Sequence, residues 1–446
     1  MKIEYLNYSC DINDDKVYLL PNDIIIKECY NYYIYISPKN GNWIVLENDV
    51  QQDIINKLID GETVATICTQ FSQNMSDINY VLAQIEGRHF EYEYIENDNF
   101  FNLRIYLTNN CNLRCSHCFM YADKAFNNEL SVDEIIMTIE KAAKVGAQKL
   151  ILTGGEVCLS KALIPALECA KLNGMSTQVL TNGTLWNDEL FKKTLGLIDE
   201  VQISIDGFNE EVNSQIRGRG AFDKALSTVE KFVYSSISTS IIITPLYGYI
   251  EKYYDEYLSF TSNLVEKYKN YDFLIIFGNE LIDGRNVKAS PERNVQYSET
   301  VKRICEDLYP NSELTTFVMN HKENFIYKNC GYGSLTVNSN GDFYFCGRIY
   351  EVKKYGNIRT MDFDDIIKLR SKARQYSCID NFYPCKICDL RYICGGGCRI
   401  SNYREITQVS NLFNFNIESL PHRKCTNAYK ENLYRLMLES SDFLLW

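Results

Sequence analysis

Cysteine placement limits this chain more than any other feature. Seventeen cysteines stand among 446 residues, and ten of them fall into two sharply spaced groups. The first reads Cys111-x3-Cys115-x2-Cys118. The second has Cys330 and Cys346 bracketing Gly341, then Cys385-x2-Cys388-x5-Cys394-x3-Cys398, and Cys425 after a gap. Disulfides do not need short regular spacings; a metal ion or cluster does. Three thiolates on one loop can hold three corners of a [4Fe–4S] cube and leave one iron open. Zinc is the competing reading, with His117 as a fourth ligand in the first group and a zinc ribbon in the second. Cys10, Cys29, Cys68, Cys158, Cys169, Cys305 and Cys378 default to small buried hydrophobes.

The length implies two or three domains. A formal net charge of −12 argues against bulk nucleic-acid binding, which needs clustered Lys and Arg. The start, Met1-Lys2-Ile3-Glu4-Tyr5, lacks the apolar core of a signal peptide. No run of about 18 apolar residues is present, so no membrane span is expected. These features together predict a cytoplasmic protein.

Residues 1–97 read as short strands over 18–20, 24–30, 32–36 and 43–46, then helices from Val50, Thr63 and Ser76, then a strand over 89–95. That order predicts a small winged-helix-like α+β domain. From Leu103 the rhythm changes. Strands over 103–107, 149–152, 176–181, 201–205, 239–243 and 273–277 alternate with helices over 131–145, 161–173, 187–195, 221–235, 250–268 and 291–308. Six βα units predict an α/β fold, a partial (β/α)6 TIM-like barrel, over 98–311. Residues 312–446 lose that rhythm and form a cysteine-rich third domain, held by something other than a large core. A last helix over 426–439 leads to an apolar tail, Phe443-Leu444-Leu445-Trp446, expected to dock.

The first cysteine triad directly follows the first barrel strand, where barrel loops build active sites. It resembles the hallmark of the radical S-adenosylmethionine (SAM) superfamily. The resemblance extends along 100–310 in family order. Thr153-Gly154-Gly155-Glu156 follows strand two, where it implies that Gly154, Gly155 and Glu156 meet the methionyl amine of SAM. Val157 stands where the family usually has proline. Thr181-Asn182-Gly183-Thr184 ends strand three. Ser204-Ile205-Asp206-Gly207 ends strand four, where the family contacts the ribose, and Arg217 suits the SAM carboxylate. The resemblance implies that Cys111, Cys115 and Cys118 hold the catalytic [4Fe–4S] cluster and that an electron passed to the sulfonium yields a 5′-deoxyadenosyl radical.

The second cysteine group resembles the SPASM extension of radical SAM peptide and protein maturases at all seven positions. That resemblance implies two auxiliary [4Fe–4S] clusters, the outer on Cys385, Cys388, Cys394 and Cys425 and the inner on Cys330, Cys346 and Cys398. Some relatives add an eighth cysteine a few residues before the Cys330 position. Here 320–325 has none, which implies an open iron on the inner cluster unless Cys305 or Cys378 fills it. Residues 1–97 resemble the peptide-recognition domain of such maturases, which captures a leader peptide as an added strand; the run Tyr30 to Ile36 is the expected edge. The whole resembles maturases that join a cysteine sulfur to carbon in a ribosomally made precursor peptide, as in sactipeptides and ranthipeptides. A flavodoxin- or ferredoxin-type donor is the implied electron source. A C–C crosslinking or epimerising maturase, an anaerobic sulfatase maturase and a non-catalytic iron–sulfur or zinc adaptor are the alternatives.

Overall fold

The computed structural model describes residues 1–21, 23–38, 41–91, 101–321, 330, 332–349, 351–401 and 425–445. The chain opens with an antiparallel pair, β1 (Lys2–Tyr5) and β2 (Tyr8–Asp11), where the sequence suggests no strand. A three-stranded antiparallel sheet follows, β3 (Ile25–Cys29), β4 (Tyr32–Ile36) and β5 (Trp43–Leu46). Its order is β3-β4-β5. The run around β4 is therefore central and offers no free edge; the outer strand on that side is β3. Residues 18–20 are not a strand. Tyr18 is buried there and its hydroxyl donates to Glu86, 2.6 Å away.

Helices α1 (Asp49–Ile59), α2 (Val64–Gln70) and α3 (Met75–Gly87) come next. Asn48 and Thr63 cap the first two, each side chain accepting from a backbone N–H in the first turn. Residues 88–91 form a turn, and the remainder of the strand expected over 89–95 lies outside the described residues.

The predicted barrel rhythm is present. Strands β6 (Asn102–Tyr106), β7 (Lys149–Thr153), β8 (Ser176–Thr181), β9 (Glu200–Ser204), β10 (Ser238–Ile243) and β11 (Phe273–Phe277) are parallel, each paired with the next. Helices α4 (Val132–Lys144), α5 (Leu163–Leu172), α6 (Asp188–Thr194), α7 (Glu210–Arg217), α8 (Phe222–Tyr234), α9 (Tyr249–Lys252) and α10 (Tyr254–Lys267) connect them, and α11 (Pro291–Leu308) follows the last. Helix α4 starts in a full capping box between Ser131 and Glu134. Along β6, Leu103 and Ile105 enter the apolar core, while Arg104 and Tyr106 point into a cavity. That alternation is the two-residue period of a strand.

The third region is α12 (Ser312–Asn320), β12 (Leu335–Val337), β13 (Asp342–Tyr344), β14 (Gly356–Asn357), α13 (Phe363–Ser377), α14 (Arg391–Cys394) and α15 (Asn427–Ser440). Strand β12 pairs parallel with β6, and β13 and β14 follow antiparallel. The barrel sheet thus continues into the cysteine-rich region as one sheet, of nine strands among the described residues.

The N-terminal sheet is buried on both faces. Tyr35, Ile44 and Leu46 pack on α1–α3. Ile34, Ile36, Trp43 and Val45 pack on Phe317, Leu390, Ile393, Leu433, Leu436 and Met437. Trp43 is the centre of that second contact. Its ring lies 4.1 Å from the Arg88 guanidinium, and its Nε1 donates to the Met437 carbonyl at 3.3 Å. From the tail, Leu444 is fully buried and Leu445 lies against Gly87, whereas Phe443 is exposed. Trp43→Ala should cost about 3–5 kcal/mol by cavity formation. Denaturant unfolding measures it, and proteolysis should open α15 first.

Candidate active site

The Cys111–Cys118 loop leaves the end of β6 and is pinned by backbone contacts. Cys111 N donates to Asp123 O at 3.1 Å, and Ser116 N to Ile216 O at 2.9 Å. Glu129, absent from the sequence reading, accepts from Asn109 N at 2.6 Å and from Thr108 Oγ1 at 2.8 Å. On the other side, Gly155 N donates to Thr108 O at 2.7 Å and Glu156 N to Asn110 O at 2.8 Å. A Cβ on Gly155 would stand 2.3 Å from Asn110 O. Gly154 has φ +147°, and its Cβ would meet Thr108 O at 2.6 Å. The two glycines therefore let the second strand's loop lie directly on the approach to the cysteine loop.

Cys111, Cys115 and Cys118 line one cavity of about 560 Å³, together with Gly154, Gly155 and Ser204. Asn182 and Arg217 also line it. Asn182 Nδ2 donates to Asn112 Oδ1 at 3.0 Å, which ties the end of β8 to the cysteine loop. Burial pushes the Cys111 thiol up to about 11 and also raises Cys115. Cluster binding would have to deprotonate both.

Two residues sit differently from their expected SAM contacts. Glu156 is buried and does not line the cavity. Its carboxylate accepts from Thr181 Oγ1 at 2.6 Å, Asn182 N at 2.8 Å and Cys158 N at 3.2 Å. It braces the end of β8 instead of facing the cavity. Asp206 is fully buried and also off the cavity wall. Its Oδ2 lies 2.6 Å from Arg217 Nε and 2.8 Å from His117 Nε2, and its Oδ1 accepts from Thr244 N at 2.8 Å. Burial alone would raise this carboxyl; Arg217 and then His117 bring it down to about 2. Arg217 lies in the last turn of α7, with Nη1 3.8 Å from Cys115 Sγ. A motif gives a residue's place along the chain but not the direction of its side chain.

The loop after β11 closes the site from the opposite side. Arg285 N donates to Cys118 O at 3.2 Å and Asn286 N to Ser116 O at 2.7 Å. Glu280 lines the cavity and pairs with Arg348 at 2.9 Å. Arg348 Nη1 also reaches Ser401 Oγ at 2.9 Å and Cys398 Sγ at 3.9 Å. Neither charge was singled out in the sequence, since neither belongs to a motif there.

Seven more cysteines form two further groups. Cys330, Cys346 and Cys398 line a pocket of about 270 Å³ that shares Arg104 and Gly347 with the main cavity. Cys385, Cys388, Cys394 and Cys425 line another pocket near α15. Burial pushes Cys346 up to about 11. Burial also acts upward on Cys398, but donors from Ser401 and the charge of Arg348 hold it below the usual thiol value. Neither Cys305 nor Cys378 lines the three-cysteine pocket. Three cysteines on one cavity wall beside a glycine cradle are the donor set that a four-iron cluster with one open iron takes.

Two substitutions test this geometry. Asp206→Asn should cost about 3–5 kcal/mol, because it leaves the buried Arg217 beside His117 without a carboxylate. Denaturant titration of the metal-free chain reads it; a residue that only touched SAM would leave that stability unchanged. Gly155→Ala forces the loop at Asn110 to move, so bound iron per chain should fall when measured after anaerobic reconstitution.

Residues 105–261 match the model of the radical SAM superfamily, and residues 329–390 match an iron–sulfur cluster-binding domain, SPASM. The chain is 32% identical over 200 residues to the sporulation killing factor maturation protein SkfB of Bacillus subtilis, covering 44% of this chain and 46% of that protein. It is 39% identical over 123 residues to the Fe-coproporphyrin III synthase of Methanosarcina barkeri, covering 27% of this chain and 31% of that one. The matches thus span less than half the length of these relatives. Among solved structures, native anSMEcpe with bound AdoMet and Cp18Cys peptide superposes with a TM-score of 0.55 at 16% identity, covering 77% of this chain and 98% of that one. This likeness supports the fold. With the triad after the first barrel strand and both domain models in chain order, the chain carries a radical SAM domain over 105–261 followed by a SPASM iron–sulfur domain over 329–390.

Proposed function

We propose that this enzyme is a peptide maturase that installs a thioether between a cysteine sulfur and a carbon of a precursor peptide. The observation that carries the reading is the shared wall between the two cavities. The Cys111–Cys118 cavity and the pocket of Cys330, Cys346 and Cys398 meet at Arg104 and Gly347. A peptide lying along that wall would meet the radical source on one side and an iron–sulfur site with three cysteines on the other. The maturation role in the name of the SkfB relative supports a peptide substrate.

In this reading Cys111, Cys115 and Cys118 hold the catalytic cluster. Cys330, Cys346 and Cys398 hold the inner auxiliary cluster, and Cys385, Cys388, Cys394 and Cys425 the outer one. The catalytic cluster and SAM together supply a hydrogen-abstracting radical when bound. The protein's own task is to position and to exclude water. Asn182, Ser204 and Arg217 face SAM, with Gly154 and Gly155 giving close backbone approach. Asp206 holds Arg217 in place. Three cysteines on the inner cluster would leave an iron for the peptide thiolate. The flank of β3, which has no strand partner on that side among the described residues, is the edge for a leader strand, in place of the run around β4. The electron donor is of flavodoxin or ferredoxin type.

Reconstituted protein should hold about twelve irons, three four-iron clusters. Replacing Cys111, Cys115 and Cys118 together with Ala should remove about a third of that iron and abolish 5′-deoxyadenosine formation. Surviving SAM cleavage would refute the catalytic assignment. With a cysteine-containing precursor, mass spectrometry should show loss of two hydrogens per crosslink and a thiol that no longer alkylates. Deoxyadenosine formed without that loss would leave the enzyme class standing and remove the thioether reading.

A further inference from the structure

The cations on the cavity wall differ in one respect. Arg217 is paired with Asp206, and Arg348 with Glu280 and Glu351, at 2.6, 2.9 and 2.5 Å. Arg104 also lines the cavity, yet it has no ion-pair or hydrogen-bond partner among the described residues. Its guanidinium is half-buried at the boundary between the main cavity and the three-cysteine pocket. The structure makes room for it there. A Cβ on Gly347 would stand 1.6 Å from Arg104 Nη1. Tyr106, two residues along β6, donates to Gly347 O at 2.8 Å and holds that glycine in position.

A half-buried guanidinium without an anion is costly, and its planar fork suits a carboxylate in bidentate geometry. The nearby thiols already have a cation, since Arg348 is the positive charge acting on both Cys346 and Cys398. We propose that Arg104 is a specificity-determining anchor for a carboxylate of the peptide substrate, presented by an Asp or Glu side chain or by a C-terminus. This deepens the maturase reading and rests on it for the identity of the substrate. It selects peptides with an acidic group close to the modified position, because Arg104 faces both cavities.

The test is chemical footprinting of the anaerobically reconstituted full-length protein. Phenylglyoxal labels accessible guanidinium groups, and peptide mapping reads the extent at Arg104. N-acetyl-aspartate amide should slow labelling at Arg104 several-fold, and N-acetyl-asparagine amide should not. N-acetyl-alanine reports the C-terminal source in the same way. In Gly347→Ala the protection should vanish, since the added Cβ occupies the place of the guanidinium. Protection by neither carboxylate overturns the proposal. So does protection by SAM alone, which would give Arg104 to the methionyl carboxylate. Labelling seen only after cluster removal also overturns it, by assigning Arg104 to the inner auxiliary cluster. Deoxyadenosine formation is measured separately. If it occurs without carboxylate protection, only this inference fails; if protection occurs without it, the maturase reading fails and the anion site stands.

Discussion

The contact between two backbones, Gly154–Gly155 on one side and residues 108–110 on the other, is the constraint on which the site depends. Two hydrogen bonds close it, Gly155 N to Thr108 O at 2.7 Å and, from the next residue, Glu156 N to Asn110 O at 2.8 Å. No side chain fits between them, as the 2.3 Å approach at Gly155 shows. Because β6 and β7 are adjacent and in parallel register, their loops leave the sheet side by side. The glycines turn that adjacency into contact. The cysteine loop therefore inherits its position from the rigid barrel sheet, and three thiols on a short loop can face one cavity. A loop held only by its own side chains would not keep three ligands within cluster tolerance.

Charge is arranged around that frame by local pairing. The buried carboxylate of Asp206 takes Arg217 and His117 together, so the last turn of α7 and the middle of the cysteine loop are joined through one side chain. Glu280 and Arg348 join the loop after β11 to the residues beside Cys346 and Cys398. Two side chains thus bridge the inner cysteine pocket and the main cavity. Buried ion pairs of this kind add little net stability but fix geometry, since removing either partner leaves the other uncompensated.

The barrel was legible because six short strands, some apolar and some alternating apolar with polar residues, recur between helices of ordinary length. The cysteine groups were legible because ligand spacing is a property of sequence itself. The short strands were not. β1 has four residues with Ile3 alone fully buried, and β2 alternates half-buried with exposed positions, while β12 to β14 have two or three residues each. Side-chain direction was also hidden. Glu156 and Asp206 stand in family position yet turn into the protein, toward Thr181 and Arg217. Glu280, Arg348 and Arg104 belong to no motif, and only the fold brings them to one wall.

The N-terminal unit presents the opposite case, a segment that the sequence sets apart and the structure joins to the rest. Its sheet buries one face on α12, α14 and α15 through Trp43. Lys27, on the outer strand β3, pairs with Asp389 at 3.3 Å, next to Cys388. Removing residues 1–97 would expose Phe317, Leu433, Leu436 and Met437, an apolar face beside the outer cysteine pocket. Exposing several large apolar side chains costs on the order of 1.5–3 kcal/mol each, comparable in sum to the whole stability of a domain. A truncation would thus lose metal binding in the C-terminal region along with any recognition of a leader, and its inactivity would not separate the two. Point changes on the β3 flank that spare Trp43 and Lys27 do separate them, because they alter the free edge and leave the buried face intact.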